Sequence, residues 1–235
     1  MKSSTRFSRI KKKSLDFLFP PVCAGCGKYG SFLCAKCRES LKYISSPLCS
    51  NCGRPLASGS YCSGCVRWPM KIDGIRSVLE FDGVVQKLIY DFKYHYVRVL
   101  TPLLAQFLAD YLKINELPVD ILVPVPLHSH RLRERGYNQS TLLAYELSCL
   151  AETPFIEGVL TRIIDTTPQA RTANIRERRE NMTGVFICQD NSFKGKQVLL
   201  IDDVCTTGAT INACAIALKK TGAASVWGLT VAREL

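Results

Sequence analysis

The stretch that most restricts this chain is Val198-Leu199-Leu200-Ile201-Asp202-Asp203-Val204-Cys205-Thr206-Thr207-Gly208-Ala209-Thr210. Val198 to Ile201 is a continuous apolar run, as expected of a strand buried on both faces in a parallel sheet. The run ends on two adjacent carboxylates, followed by a turn of small and hydroxyl-bearing residues. Ile211 to Lys220 then reads as a helix that stops at Gly222. This order puts the turn at the carboxyl end of a sheet strand, where open α/β folds bind their ligands.

The chemistry of that turn suits a sugar phosphate. Small residues at Thr206, Thr207, Gly208, Ala209 and Thr210 let successive backbone N–H groups converge on an anion, and the helix N-terminus adds partial positive charge. The threonine hydroxyls are further donors. Asp202 and Asp203 suit ribose hydroxyls, and the pair suits a hydrated magnesium ion. A strand-end metal site and a plain helix cap after an acidic turn are the alternative readings.

Cysteine divides the chain. Eight of the 12 cysteines fall in four Cys-x-x-Cys pairs, namely Cys23/Cys26, Cys34/Cys37, Cys49/Cys52 and Cys62/Cys65. Two intervening residues let both sulfurs of a knuckle reach one tetrahedral ion, and nearby glycines permit the tight turn. Four pairs supply two four-thiolate zinc sites, with no position left for a catalytic water. Disulfides are the alternative, but knuckle spacing without a secretory signal argues for metal. Sequential pairing would give a double zinc ribbon, and an interleaved arrangement satisfies the spacing equally. Of the other cysteines, Cys149, Cys188 and Cys214 lie in apolar contexts and are expected in the core, and Cys205 is expected to fill its tight loop.

The 235 residues, 47% of them hydrophobic, suffice for one sizeable α/β domain and a small module. We expect a basic flexible arm at 1–16, a double zinc ribbon at 17–68 and the α/β domain at 71–235. Met1 to Lys13 carries six basic residues and no acid, and no apolar run nears the roughly 18 residues of a membrane span. A cytoplasmic protein without membrane insertion is therefore expected. The formal charge of +11 falls to roughly +7 once each zinc–tetrathiolate is counted as about −2. That balance favours phosphate-bearing partners, a phosphorylated sugar or nucleic acid.

Between ribbon and loop, Ile75 to Phe81 reads as a strand, and Asp82 as the cap of a helix with Val84, Val85, Leu88, Ile89 and Phe92 on one side. A second helix is expected from about Thr101 to Lys113. Asp120 to Leu127 is another strand, with Pro124 and Pro126 at its end. The following loop, His128 to Gln139, carries Arg131, Arg133 and Arg135 before Gly136-Tyr137-Asn138-Gln139 opens a helix. Arginine forks there suit a diphosphate or a nucleic-acid backbone. A long polar loop, Thr166 to Met182, separates two expected strands, Val159–Ile164 and Gly184–Cys188.

These strings together carry a resemblance. The Asp202–Thr210 stretch resembles the phosphoribosyl-pyrophosphate (PRPP) loop of type I phosphoribosyltransferases. From Phe17 to Glu234 the chain is similar to the ComF/GntX family, in which a cysteine-rich zinc domain precedes that fold. Val123-Pro124-Val125-Pro126 with Arg135-Gly136-Tyr137-Asn138-Gln139 resembles the family's pyrophosphate loop, and Gln169, Arg178 and Asn181 match its pattern in the hood loop. The resemblance implies an α/β fold with a parallel sheet flanked by helices, and displacement of pyrophosphate at ribose C1. It assigns catalytic roles to Asp202, Asp203 and Arg178. It also implies PRPP with magnesium held by Asp202, Asp203, Thr206–Thr210, Arg135 and Gly136. ComF-like proteins are associated with natural transformation, which implies single-stranded DNA and cytoplasmic competence proteins as partners. The other function it implies is an active salvage transferase with an unidentified acceptor. Lys93-Tyr94 stands where the family has Lys-Tyr before a glycine-containing turn; here His95-Tyr96-Val97-Arg98 follows, so no role is carried to Lys93.

Overall fold

The computed structural model describes residues 20–95, 97–164, 184–189 and 192–235, with the side chain of Val97 set aside. Two short helices, α1 (Ala35–Glu39) and α2 (Ser63–Arg67), belong to the cysteine-rich segment. Then follow β1 (Gly74–Glu80), α3 (Gly83–Tyr94), α4 (Val97–Ile114), β2 (Ile121–Pro124), α5 (Ser129–Arg135) and α6 (Gln139–Ala151). Strands β3 (Leu160–Arg162) and β4 (Phe186–Cys188) precede β5 (Gln197–Cys205), α7 (Ala209–Lys220) and β6 (Ser225–Arg233).

The main sheet has the order β1-β6-β5-β2, all parallel, as expected from the apolar run of β5 and its helical neighbours. Alternate residues of a strand face opposite layers. Leu199 and Ile201 join the layer of α3, α4 and α6, while Val198 and Leu200 join the layer of α7. Strands β3 and β4, which flank residues 165–183 in the sequence, form a separate antiparallel pair.

The cysteine segment folds as two copies of one unit. In the first, Cys23 N–H donates to the Lys28 carbonyl and Gly27 N–H to the Cys23 carbonyl; in the second, Cys49 and Gly53 do the same with Arg54 and Cys49. Both units start a short helix directly after the third cysteine, with Cys34 and Cys62 as its cap. Each unit seals a different layer of the sheet. Cys23, Leu33, Cys37 and Leu41 pack with Val78, Leu88 and Phe107, whereas Cys49, Cys52 and Cys65 pack with Ile75, Val198 and Ile211.

Several local expectations are corrected. The second helix begins at Val97, four residues before Thr101, and carries Pro102 inside it; the lost bond and carbonyl clash cost about 3 kcal/mol, offset by burial of Leu100, Leu104, Phe107 and Leu108. The segment after β2 is not a loop throughout: Ser129–Arg135 is helical, capped by Gly136 at φ 76°. Asp82 precedes α3 but its side chain does not cap it, since the carboxylate pairs with Lys42 instead. Cys149 is exposed rather than in the core, Cys188 is half-buried, and Cys214 and Cys205 are buried.

Candidate functional site at the carboxyl end of the sheet

Asp202 and Asp203 lie just past the end of the β2 pairing, inside a β5 that runs on beside β6 to Cys205 rather than stopping at Ile201, and they have different partners. Ser140, in the first turn of α6, donates its hydroxyl to Asp202 Oδ1 at 2.8 Å, and the Asp203 N–H donates to the same oxygen at 2.9 Å. Asp203 is 7% exposed and meets the Lys93 ammonium at 3.1 Å. Burial, reinforced by the Asp203 charge, pushes the Asp202 carboxyl up to about 7; the bonds from Ser140 and Asp203 N–H and the Lys93 charge oppose that rise only in part. A proton, a cation or a pair of hydroxyl donors thus relieves Asp202 near neutral pH.

The turn beyond is drawn tight. Ala209 N–H bonds the Thr207 hydroxyl at 3.3 Å, and Gly208, at φ 77°, leads into α7. Apart from Ala209, the first N–H groups of α7 have no carbonyl in their own helix to bond, a donor set that suits an anion. Thr206 is exposed, Thr207 and Thr210 are half-buried, and Gly208 and Ala209 are buried. A Cβ on Gly208 would lie 2.8 Å from Ile75 Cδ1 and 3.4 Å from Met70 Sδ. Gly208→Ala is therefore expected to cost about 2–3 kcal/mol, from its left-handed backbone and the collision together. Thermal unfolding would show it as a fall of several degrees, and an unchanged midpoint would disprove the tight seat.

Met70 and Ile75 belong to a strap from Pro69 to Asp73 and into β1, which the second cysteine unit holds. Asn51, inside the Cys49/Cys52 knuckle, accepts Met70 N–H at 3.0 Å, donates to the Ile72 carbonyl at 2.8 Å and receives Ile75 N–H on its own carbonyl at 2.9 Å. From the other side, Asn212 in α7 accepts Lys71 N–H at 2.7 Å. Gly53 is pressed so closely on the strap that a Cβ there would meet the Ile75 carbonyl at 2.1 Å. Buried Arg233 completes the link, donating from Nη1 to the Cys52 carbonyl at 2.6 Å and to Cys205 Sγ at 3.0 Å. Burial pushes the Cys205 thiol up, with Arg233 opposing, so this thiol fills the loop rather than acting as a reactive group.

The arginine segment reaches the site through tyrosines. Arg135 Nη2 donates to the Tyr94 hydroxyl at 3.2 Å, and its guanidinium lies 5.2 Å from the Tyr94 ring centre. The Tyr137 hydroxyl donates to the Lys93 carbonyl at 2.8 Å, and Asn138 donates to the Val125 carbonyl at 3.0 Å. Arg131 and Arg133 are on α5, which buries none of its residues. Gln169, Arg178 and Asn181 lie outside the described residues, as does the basic arm 1–16. Beside the strand ends, a cavity of about 490 Å³ is lined by Pro124, Pro126, Leu127, Asn138, Leu160 and Arg162.

The eight knuckle cysteines form two clusters, Cys23/Cys26/Cys34/Cys37 and Cys49/Cys52/Cys62/Cys65, with the sulfurs of each within 4.8 Å of one another. The sequential pairing holds. Cys26 and Cys34 sulfurs are 3.7 Å apart, as are those of Cys52 and Cys62. A zinc tetrahedron with bonds of about 2.3 Å has edges of about 3.8 Å, so the donor sets fit zinc. Backbone N–H groups of Cys34 and Cys62 reach Cys23 and Cys49 sulfurs at 3.4 Å, as in a thiolate knuckle.

Two known families match this chain: one described as a double zinc ribbon domain over residues 14–66, the other as a phosphoribosyl transferase domain over residues 158–233. Competence protein F of Haemophilus influenzae is 31% identical over 178 residues, which cover 72% of this chain and 77% of that protein. Competence protein ComFC of Bacillus subtilis is 30% identical over 86% of this chain and 84% of its own length. The chain belongs to the ComF family. The DNA utilization protein YhgH of Salmonella typhi is 29% identical over 74% of this ComF-family chain and 78% of its own length. The fold is accordingly that of the type I phosphoribosyltransferases, a parallel sheet flanked by helices, with two four-cysteine zinc sites before it.

For this family member, sequence reasoning left Lys93 without a role and missed Ser140, Asn51 and Arg233. Two signals were present. Arg233 is a charge ending the uncharged, largely apolar Val226–Ala232 run, and Ser140 directly follows the matched Asn138-Gln139. Asn51 had none, because its partners lie in a different part of the fold.

Proposed function

We propose that this ComF-family chain binds PRPP with magnesium at Asp202–Thr210 and serves DNA uptake as a cytoplasmic handler of single-stranded DNA. The observation that carries the first half is the carboxylate pair at the strand end. Asp202 is held near pH 7 by burial beside a turn of small residues that opens a helix. Ribose hydroxyls donating to Asp202 and Asp203 would replace the relief a proton now supplies, and the turn from Thr206 to Thr210 would take the 5′-phosphate. Arg135, with Gly136 beside it and Arg178 from the hood, would face the pyrophosphate. Magnesium, held through the two aspartates and diphosphate oxygens, would supply charge neutralisation there. The second half is supported by the relatives' names, competence protein and DNA utilization protein, and by the formal charge of +11.

Calorimetric titration of the zinc-loaded protein with PRPP and magnesium tests the site. Saturable binding is expected for the wild type and none for Asp202→Ala with Asp203→Ala. Absence of binding to the wild type would overturn the reading. DNA affinity should fall steeply with salt, in proportion to the phosphates contacted. Because each cysteine unit seals a layer of the sheet, point variants are a cleaner probe than removal of residues 1–70.

A transfer reaction to an acceptor is the second reading, and the cavity of about 490 Å³ between the strand ends and β3 favours it. Pyrophosphate release in an acceptor screen would establish turnover. Its absence across nucleobases would leave PRPP as a bound ligand only.

A further inference from the structure

We propose that Tyr90 and Tyr94 of α3, with the Arg135 guanidinium over the second ring, form a stacking platform for the bases of a single-stranded nucleic acid. The inference rests on the DNA-handling half of the proposed function and gives it a surface. Helix α3 buries Val85, Leu88, Ile89 and Phe92, so its opposite face meets solvent. That face carries two large aromatic rings four residues apart, 56% and 53% exposed. Ring burial in a core does not account for them.

The two rings are arranged to receive further rings. Their centres are 4.9 Å apart with planes inclined at 48°, and the His95 ring meets Tyr90 edge-on at 5.3 Å, a ring cluster that stays more than half exposed at both tyrosines. They line an apolar groove of about 540 Å³ with Phe81, Ile89 and Lys93. Arg135 lies 5.2 Å above Tyr94, and Lys87 stands on the groove rim. A planar cation over a tyrosine beside a second tyrosine combines the two elements of sequence-tolerant base binding, stacking and phosphate attraction. The nearby acids are engaged already, Asp91 by His95 and Asp203 by Lys93. Lys87 and Arg135 outweigh the single Asp91 carboxylate on this face, which favours a polyanion over an apolar peptide. Lys93 lines the groove and bonds Asp203, so a strand on the platform would pass beside the sugar-phosphate turn.

Fluorescence anisotropy with a labelled oligothymidylate of about 20 nucleotides tests this on the full zinc-loaded chain. Tyr90→Ala and Tyr94→Ala should each weaken binding about five- to a hundredfold, the range for loss of one stacking ring. Tyr90→Phe and Tyr94→Phe should bind like the wild type. Photocrosslinking with iodouracil in the oligonucleotide should label Tyr90 or Tyr94. The PRPP titration should be unchanged in Tyr90→Ala, which shows that the variant is folded. Wild-type binding that survives both alanine variants, or crosslinks confined to other surfaces, would overturn the platform while leaving DNA handling intact. No oligonucleotide binding by the wild type would overturn both. Alanine variants that keep DNA affinity but lose a protein partner would assign the groove to that partner instead.

Discussion

Removal of zinc is expected to unfold the phosphoribosyltransferase domain along with the ribbons. A structural zinc site of four thiolates contributes apparent free energies of about 10–16 kcal/mol, while a whole domain is stable by only about 5–15 kcal/mol. Here the ribbons are not appendages. Cys37 and Leu41 share a buried cluster with Leu88 and Phe107, and Cys52 and Cys65 share one with Ile75 and Ile211. Without the ion, burial and the neighbouring sulfurs push the Cys37 thiol up to about 12, so its thiolate depends on a cation. A strong chelator should release two zinc ions per chain, lower the unfolding midpoint by more than about 15 °C and abolish PRPP binding together. A milder variant separates coupling from collapse. Asn51→Ala keeps all eight ligands but loses the bonds to Met70 and Ile72, so PRPP affinity is expected to fall about tenfold with zinc content unchanged. PRPP binding that persists in the metal-free protein would refute the dependence of the sheet on its ribbons.

Asp202→Asn is expected to abolish PRPP binding and, at pH 8, to make the protein more stable. The carboxyl is raised from its ordinary 3.8 to about 7, so between those pH values the folded chain holds more protons than the unfolded chain. Wild-type stability therefore falls as pH climbs from about 4 to about 7 and then levels off. Asparagine does not ionise, and its carbonyl still accepts from Ser140 and the Asp203 N–H, so the variant lacks that fall. The full displacement corresponds to about 4 kcal/mol at about 1.4 kcal/mol per pH unit. Part of that displacement comes from the Asp203 charge and is opposed by Lys93, so a gain of about 2 kcal/mol at pH 8, with none near pH 4, is expected. Thermal melts across that range would show it as a midpoint several degrees higher only on the alkaline side. A variant less stable than wild type at pH 8 would show that Asp202 is not held at a cost for its ligand. The binding loss should exceed a hundredfold, since the ribose would lose a charged acceptor.

Much of this molecule was legible in order along the chain, because the features concerned are local. Cys-x-x-Cys spacing describes a knuckle by itself, and the Val198–Ile201 run describes a buried parallel strand, although β5 carries on through Asp202 and Asp203 to Cys205 instead of ending on them. Helix boundaries were less legible. Packing extended α4 back to Val97 past Pro102, and the polar run after β2 coiled into α5. What only the tertiary structure decided is who meets whom. Lys93 reaches Asp203, Ser140 reaches Asp202, and Asn51 and Arg233 tie the second zinc unit to the strap and to Cys205, beside the Thr206–Thr210 turn. None of these pairs shares an element, so no periodicity records them. They exist because parallel strands bring distant segments to one sheet edge, where burial makes each polar group find a partner.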